Sequence, residues 1–365
     1  MIDVNLAQKI TLLLKYPHTT LNTLIDPYIY KAKPSPFPRI INCFITEKCN
    51  FRCAFCHVDQ SRQEKLTDLP IESIKKIIKS AAPYHPSFQL SGGEPLIHPD
   101  IIEIIKYIKK YNLVVGLVTN GFFLKDKAQE LIDAKLDFLA VSLDGPDKKT
   151  QKKRGRVDSF NRILAGIEKF ISLRGNKLFP NLRLATVITH DNLDNFDQIL
   201  PLAEKLGVNQ WSISHHFFYT NAIKKARDNF VKKYKMGRDI WGADIGNKKE
   251  FFSKKQRVLL KKKMKKLLKI KTSVRITYND LDIDKYYTSI FPSQKSVCTS
   301  PYQQIFIRGD GDAEICQGYI IGNIKKQSLK NLWHNFKATH FRKIFSKCGL
   351  MPACFRCCAL NIKFD

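Results

Sequence analysis

The sequence predicts an α/β protein: a partial barrel of parallel strands followed by a small cysteine-rich α+β unit. Three observations predict it. Short β-rich runs alternate six times with longer helical patterns between residues 39 and 214. The ten cysteines fall in two clusters, four at 43–56 and six at 298–358, with none between. Polar or glycine-rich residues stand at the end of every β-rich run. Alternating strands and helices imply parallel strands with right-handed crossovers, and such folds place their sites at the C-terminal strand ends.

Residues 1–38 read as a helical lead-in that stops at the proline-rich Lys33-Pro34-Ser35-Pro36-Phe37-Pro38, since proline ends helix and favours extended chain. Strands are expected at 39–45, 87–90, 113–118, 138–143, 182–189 and 210–214. Helices are expected at 71–82, 101–111, 125–134, 159–173 and 195–206, where apolar residues recur at helical spacing. Six such units make a partial (β/α)6 barrel or a doubly wound sheet over residues 39–216. After the first strand come Cys49, Cys53 and Cys56, and after the second Ser91-Gly92-Gly93-Glu94-Pro95. Later strands end in Thr119-Asn120-Gly121, Ser142-Leu143-Asp144-Gly145, Thr189-His190-Asp191 and Ser214-His215-His216. Cys43 lies inside the first strand and reads as a buried core residue.

Residues 217–297 read as a basic bridging segment with one or two helices and a loop around Trp241, Gly242 and Gly246. Residues 298–365 form the cysteine-rich unit. Within it, 304–308 and 313–316 flank Gly309-Asp310-Gly311-Asp312, a hairpin signal, and 328–345 reads as one helix.

At 365 residues and 44% hydrophobic content the chain buries a sizeable core. No run of about 18 apolar residues predicts a membrane span, and the N-terminus lacks a signal-peptide pattern, so a cytoplasmic protein without membrane contact is expected. Ten cysteines there argue for metal sites rather than disulfides. The net charge of +29 would attract nucleic acid, but abundant lysine throughout and the amphipathic 261–271 stretch also fit solvated helix faces.

Three thiolates within Cys49-Asn50-Phe51-Arg52-Cys53-Ala54-Phe55-Cys56 suit one [4Fe–4S] cube with an iron left open for a ligand. A zinc knot would need a fourth ligand, and the adjacent His57 is poorly placed to close a tetrahedron. This Cys-x3-Cys-x2-Cys spacing, with Gly92-Gly93-Glu94-Pro95 about forty residues on, resembles the radical S-adenosylmethionine (SAM) superfamily. Thr119-Asn120-Gly121 and Ser142-Leu143-Asp144-Gly145 resemble later strands of its peptide-maturase and cofactor-biosynthesis branch. The resemblance implies that SAM binds the open iron and that one electron cleaves it to methionine and a hydrogen-abstracting 5′-deoxyadenosyl radical. It implies an electron donor such as flavodoxin or ferredoxin. It assigns Gly92, Gly93 and Glu94 to the methionine amino group and Asn120 to cofactor binding; Phe55 falls near the adenine, and Ser142 and Arg154 at the SAM carboxylate. Arg156 is a rival to Arg154.

The second cluster holds Cys298, Cys316, Cys348, Cys354, Cys357 and Cys358. Four thiolates, from Cys298, Cys316, Cys354 and Cys357, are enough for a second, auxiliary [4Fe–4S] cluster. The pattern resembles the twitch domain, a shortened SPASM domain. The full SPASM run departs here, because position 345 is Phe and no cysteine follows Cys358. Cys348, Cys354 and Cys358 keep its later spacing, so Cys348 and Cys358 remain alternates to Cys357, and a structural zinc ribbon is the competing reading.

His215 and His216 stand at a strand end, where a histidine could donate a proton, but beside Phe217, Phe218 and Tyr219 packing is the commoner role. The expected function is hydrogen abstraction from a small-molecule or peptide substrate. A recognisable peptide-binding unit at the N-terminus is missing, which weighs against leader-dependent peptide maturation. The alternative is a non-catalytic basic metalloprotein that binds nucleic acid, which explains charge and cysteines but not residues 92–95.

Overall fold

The computed structural model describes residues 6–22, 33–56, 67–151, 154–156, 158–218, 220–234, 252–278, 282–288, 298–316 and 318–357. Parallel strands β1 (Ile40–Thr46), β2 (Ser87–Gly92), β3 (Val114–Thr119), β4 (Phe138–Ser142), β5 (Asn181–Ile188) and β6 (Gln210–His215) lie side by side in chain order. The six predicted strands are therefore present with ends shifted by a residue or two. Helices α1 (Leu6–Lys15), α2 (Ile71–Ala81), α3 (Ile101–Lys110), α4 (Leu124–Asp133), α5 (Ser159–Arg174) and α6 (Ile199–Leu206) follow the predicted alternation. Their apolar stripes face the sheet: α2 buries Ile74, Ile77 and Ile78, and α3 buries Ile101, Ile104, Ile105 and Ile108. Each such side chain contributes about 2 kcal/mol on burial. Cys43 is fully buried in β1, as its position predicts.

The bridging segment holds more order than expected. It forms α7 (Asn221–Lys233), α8 (Lys254–Leu267), a seventh parallel strand β7 (Arg275–Tyr278) against β6, and α9 (Ile283–Thr288). Trp241, Gly242 and Gly246 lie outside the described residues. In α8, Leu260, Met264 and Leu267 face inward. The lysines point outward, and Lys263 pairs with Asp197 at 2.6 Å.

The cysteine-rich unit is joined to the barrel by its backbone. Strands β8 (Gln304–Ile307), β9 (Asp312–Cys316) and β10 (Tyr319–Asn323) are antiparallel to one another, and β8 pairs in parallel with β1. The result, among the described residues, is one ten-stranded sheet in the order β10-β9-β8-β1-β2-β3-β4-β5-β6-β7. The single helix expected at 328–345 is two, α10 (Leu329–His334) and α11 (Phe336–Cys348). Asn335 breaks it: its Oδ1 accepts from Ala338 N at 2.9 Å and its Nδ2 donates to Ile321 O at 2.8 Å. Trp333 on α10 donates from Nε1 to Ser35 O at 2.7 Å, which ties the proline-rich stretch to the C-terminal unit.

Helix α1 is held by a buried carboxylate at the opposite end of the sheet from the cysteines. Asp137 accepts from Tyr16 Oη at 2.7 Å, Lys109 Nζ at 2.7 Å, Lys15 Nζ at 3.1 Å and Val115 N at 3.0 Å. Burial lowers the Lys109 pKa, and Asp137 works against that shift. Asp137→Ala leaves a buried ammonium without its counter-charge. It is expected to cost about 3–5 kcal/mol, read as a fall in the urea midpoint at unchanged m.

Candidate active site

The first cysteine loop leaves β1 and is laced onto the end of β2. Gly93 N donates to Thr46 O and Glu94 N to Lys48 O, each at 2.8 Å. The contact is so close that side chains do not fit. A Cβ on Gly92 would stand 2.1 Å from Thr46 O, at a φ of +131°, and a Cβ on Gly93 would stand 2.1 Å from Lys48 O. Lys48 and Thr46 are themselves pinned to Asp68, at 2.7 and 2.6 Å.

Glu94 is wholly buried and has three donors. Its Oε1 accepts from Thr119 Oγ1 at 2.6 Å and Leu96 N at 3.0 Å, and its Oε2 accepts from Asn120 N at 2.7 Å. The carboxylate thus straps the end of β2 to the end of β3. Desolvation dominates these donors and pushes its pKa up to about 7. Asn120 extends the strap: its Nδ2 donates to Asn50 Oδ1 at 2.8 Å and approaches Cys49 Sγ at 3.9 Å. Phe122 N, at 2.9 Å, occupies its Oδ1 and so fixes the amide's orientation.

The chain after β4 closes the other side. Cys53 Sγ donates to Arg154 O at 3.5 Å. Gly155, at a φ of +81°, allows this approach, because a Cβ there would stand 2.5 Å from Arg52 O. The Arg154 guanidinium lies 5.5 Å from the Phe55 ring centre and donates from Nε to Asp144 Oδ2. Asp144 in turn accepts from Val187 N at 2.8 Å. The rival Arg156 lies elsewhere, 3.9 Å over the Phe122 ring. Ser142 ends β4, half-buried.

The three thiols share one electrostatic neighbourhood. Burial raises the Cys49 pKa, and Glu94 and Cys56 add to the shift. Burial pushes Cys53 up to about 12; Arg154 opposes the shift, while Cys56, Asp144 and Cys49 add to it. Three soft donors within reach of one another, beside a guanidinium, fit a cationic iron–sulfur core that takes them as thiolates. Among the described residues no three His, Cys, Asp or Glu side chains close on a single metal ion. Thiolates spread around a four-iron cube need not converge that tightly. His57 lies outside the described residues.

The C-terminal cysteines Cys298, Cys316, Cys348, Cys354 and Cys357 lie among the described residues. Cys298 and Cys354 are both buried, and burial with Cys298 nearby pushes Cys354 up to about 12. Cys316 ends β9 and Cys357 closes a short turn, its N donating to Cys354 O at 3.0 Å. Cys348, the alternate ligand, donates from Sγ to Tyr234 Oη at 3.0 Å. Cys358 lies outside the described residues.

The two histidines part company. His215 is buried, with Nδ1 3.0 Å from Tyr287 Oη and Nε2 2.8 Å from Tyr278 Oη. Desolvation lowers its pKa to about 3, so it stays neutral as part of a tyrosine cage. His216 faces the mouth side, its ring 6.1 Å from Phe55 and 6.1 Å from Phe218. Sequence reasoning did not single out Asp144 or Asn50; only their places beside the motifs hinted at them.

Comparison with known proteins agrees with this geometry. Residues 43–203 match the profile described as the Radical SAM superfamily, and residues 298–358 match one described as an iron–sulfur cluster-binding domain, SPASM. A curated relative, a probable GTP 3′,8-cyclase of Saccharolobus islandicus (strain L.S.2.15), is 35% identical over 168 residues, 46% of this chain and 53% of that protein. One from Thermococcus kodakarensis is 36% identical over 128 residues, 35% of this chain and 42% of that protein. The chain thus spans about half the length of the curated relatives it matches. Among solved structures, Streptococcus suis SuiB bound to its precursor peptide SuiA superposes with a TM-score of 0.64 at 17% identity, covering 93% of this chain and 76% of SuiB. The enzyme anSMEcpe with bound AdoMet and the Cp18Cys peptide gives 0.59 at 16% identity, covering 90% and 92%. At these identities the likeness is one of fold.

Proposed function

This chain belongs to the radical SAM superfamily, and from that premise we propose that it cleaves SAM reductively and abstracts hydrogen from a small-molecule or peptide substrate. When bound and reduced, the [4Fe–4S] cluster supplies the electron that splits SAM into methionine and a 5′-deoxyadenosyl radical. The observation that carries the reading is the meeting of Cys49, Cys53 and Cys56 with Glu94 and Arg154 at the ends of three strands. Cys49, Cys53 and Cys56 hold the cluster. Gly92 and Gly93 bring the backbone close enough to bind the amino group of SAM. Glu94 keeps that turn and the Asn120 amide in place. Arg154, oriented by Asp144, binds the SAM carboxylate, with Ser142 beside it and Phe55 against the adenine. Cys298, Cys316, Cys354 and Cys357 hold the auxiliary cluster, which accepts an electron or binds substrate. His216, with its ring toward Phe55, is the histidine that can face substrate, and His215 is a packing residue.

The test is anaerobic. Reconstituted protein is expected to hold about eight irons and to form 5′-deoxyadenosine from SAM with dithionite. Replacing Cys298, Cys316, Cys354 and Cys357 by Ala is expected to halve the iron while sparing SAM cleavage. Iron near four in the unaltered protein, unchanged in that variant, would overturn the auxiliary cluster. Incubation with GTP on one hand and with peptides on the other separates the two substrate classes found among the relatives.

A further inference from the structure

We propose that Arg308 is a positioning residue for the SAM site: from the cysteine-rich unit it holds the segment 46–48 that leads into the first cysteine loop. The inference rests on the reading that Cys49, Cys53 and Cys56 hold the SAM cluster and that the Gly92-Gly93 turn takes the amino group of SAM. β1 and β8 pair in parallel, with Cys43 opposite Ile307. Glu47 and Arg308 therefore stand just past the C-terminal ends of neighbouring strands. Arg308 donates from Nη2 to Glu47 Oε1 at 3.1 Å and from Nη1 to Glu314 Oε1 at 3.4 Å. Glu314, on β9, is wholly buried, and its Oε2 accepts from Gly318 N at 3.1 Å. One guanidinium thus joins two carboxylates, one two residues before Cys49 and the other two residues before Cys316. The hairpin turn lies on the same segment. A Cβ on Gly309 would stand 2.5 Å from Thr67 O and 3.2 Å from Glu47 Cγ, and Thr67 O accepts from Glu47 N at 3.0 Å.

Glu47 bears on SAM through its backbone. The carbonyls on either side of it, Thr46 O and Lys48 O, receive the amides of Gly93 and Glu94. Its own carbonyl oxygen lies so near Gly93 that a Cβ there would stand 2.8 Å away. A contact that fixes Glu47 therefore fixes the surface on which the Gly92-Gly93 turn rests. An exposed ion pair would do this weakly. Here the Arg308 and Glu47 side chains are only 15% and 14% exposed, and enclosed charge-assisted hydrogen bonds are stronger and costly to break. Burial lowers the Arg308 pKa, but Glu314, Glu47 and Asp310 raise it above the usual arginine value, so the guanidinium stays charged. Glu314, itself held by Gly318 N, aims the guanidinium, and Glu47 is the group it acts on. Arg308 thus works through Glu47 and not on SAM.

The experiment uses the full chain with both clusters. It reads SAM binding as the change SAM induces in the paramagnetic spectrum of the reduced cluster. Arg308→Met and Glu47→Gln are each expected to raise the SAM concentration for the half-maximal change roughly tenfold, with iron kept at about eight. The double variant is expected to lose no more than the worse of the two single variants, because the residues act as one pair. Hydrogen exchange is expected to quicken at residues 44–50 and 92–94 and to stay as it was around Asp137, at the opposite end of the sheet. SAM affinity unchanged in a folded Glu47→Gln protein would overturn the proposal, and so would additive losses in the double variant. Exchange quickened across the whole sheet would overturn it too, since Arg308 would then be scaffold. Should Arg308→Met fail to fold, Glu47→Gln leaves Arg308 paired with Glu314 and decides alone. No SAM-induced change in the unaltered protein would instead defeat the underlying reading of the first cysteine loop, before any variant is made.

Discussion

Cys53→Ala is expected to bring 5′-deoxyadenosine formation from SAM down to the level seen without dithionite. The effect is near-total because Cys53 is proposed as one of three ligands of the SAM cluster, and two thiolates do not retain a cube that already has one open iron. Cys53 is also the thiol most enclosed by the closing chain, with its Sγ toward Arg154 O at 3.5 Å. Iron is expected to fall from about eight to about four, with the auxiliary cluster retained. The control is Cys43→Ala. Cys43 lies on β1, the strand that leads into this loop, is fully buried and takes part in neither site. That change costs stability through a small cavity, on the order of 1 kcal/mol, and leaves SAM cleavage intact. If Cys53→Ala cleaved SAM at the unaltered rate, the first cysteine loop would not be the radical-generating site.

Gly93→Ala is expected to be nearly as damaging, for a purely steric reason. The added Cβ would stand 2.1 Å from Lys48 O, 2.6 Å from Lys48 C and 2.8 Å from Glu47 O. All three are backbone atoms, so no side chain can swing aside. The backbone carrying Cys49 has to move or the end of β2 has to move, and overpacking of this kind costs about 1–3 kcal/mol or more. Gly93→Ala is the cleaner probe than Gly92→Ala, because Gly92 also holds a φ of +131° and any side chain there adds strain. The expected signature is weakened SAM binding, followed as loss of the SAM-induced change in the reduced cluster's paramagnetic spectrum, with auxiliary iron retained. Unchanged SAM affinity in a folded Gly93→Ala protein would show that the close approach of residues 46–48 to 92–94 has no bearing on the cofactor.

Much of this architecture was legible because buried parallel strands read as apolar runs. Val114–Thr119 in β3 is nearly all interior, and its hydrophobic sequence left little choice of assignment. The edge strand β7 was not legible for the opposite reason. β7 has four residues, none of them buried, so Arg275-Ile276-Thr277-Tyr278 shows neither a run nor an alternation strong enough to read. The break at Asn335 was hidden because asparagine is tolerated inside a helical pattern; its Oδ1 caps the second helix at Ala338 N, and its Nδ2 is held by Ile321 O, on a strand that was itself missed. The pairing of Arg154 with Asp144 joins a motif residue to its own strand-end neighbour. Spacing suggests the arginine but says nothing of the carboxylate that aims it. The fate of His215 turned on Tyr278 and Tyr287, which lie in the segment where the sequence pattern is weakest.

The parallel pairing of β1 with β8 has a consequence for how the chain acquires its structure. Asn42 and Gln304 are neighbours in the finished sheet but 262 residues apart in the chain. A strand that joins a sheet across such a distance must close a long loop before any ladder bond rewards it, and contacts of high sequence separation form slowly. During synthesis β1 can pair with β2 soon after it emerges, but its other edge waits for β8, whose Gln304 follows Asn42 by 262 residues. Through that interval a strand with Ile41, Cys43 and Ile45 on its inward face presents an unpaired row of amides, the kind of edge that recruits other chains. The three-cysteine loop hangs from the end of that same strand. Slow closure of the β1–β8 pair and early exposure of the thiols therefore coincide. Yield of intact protein is expected to depend on slow growth and on keeping oxygen from the nascent chain at least as much as on the stability of the folded state.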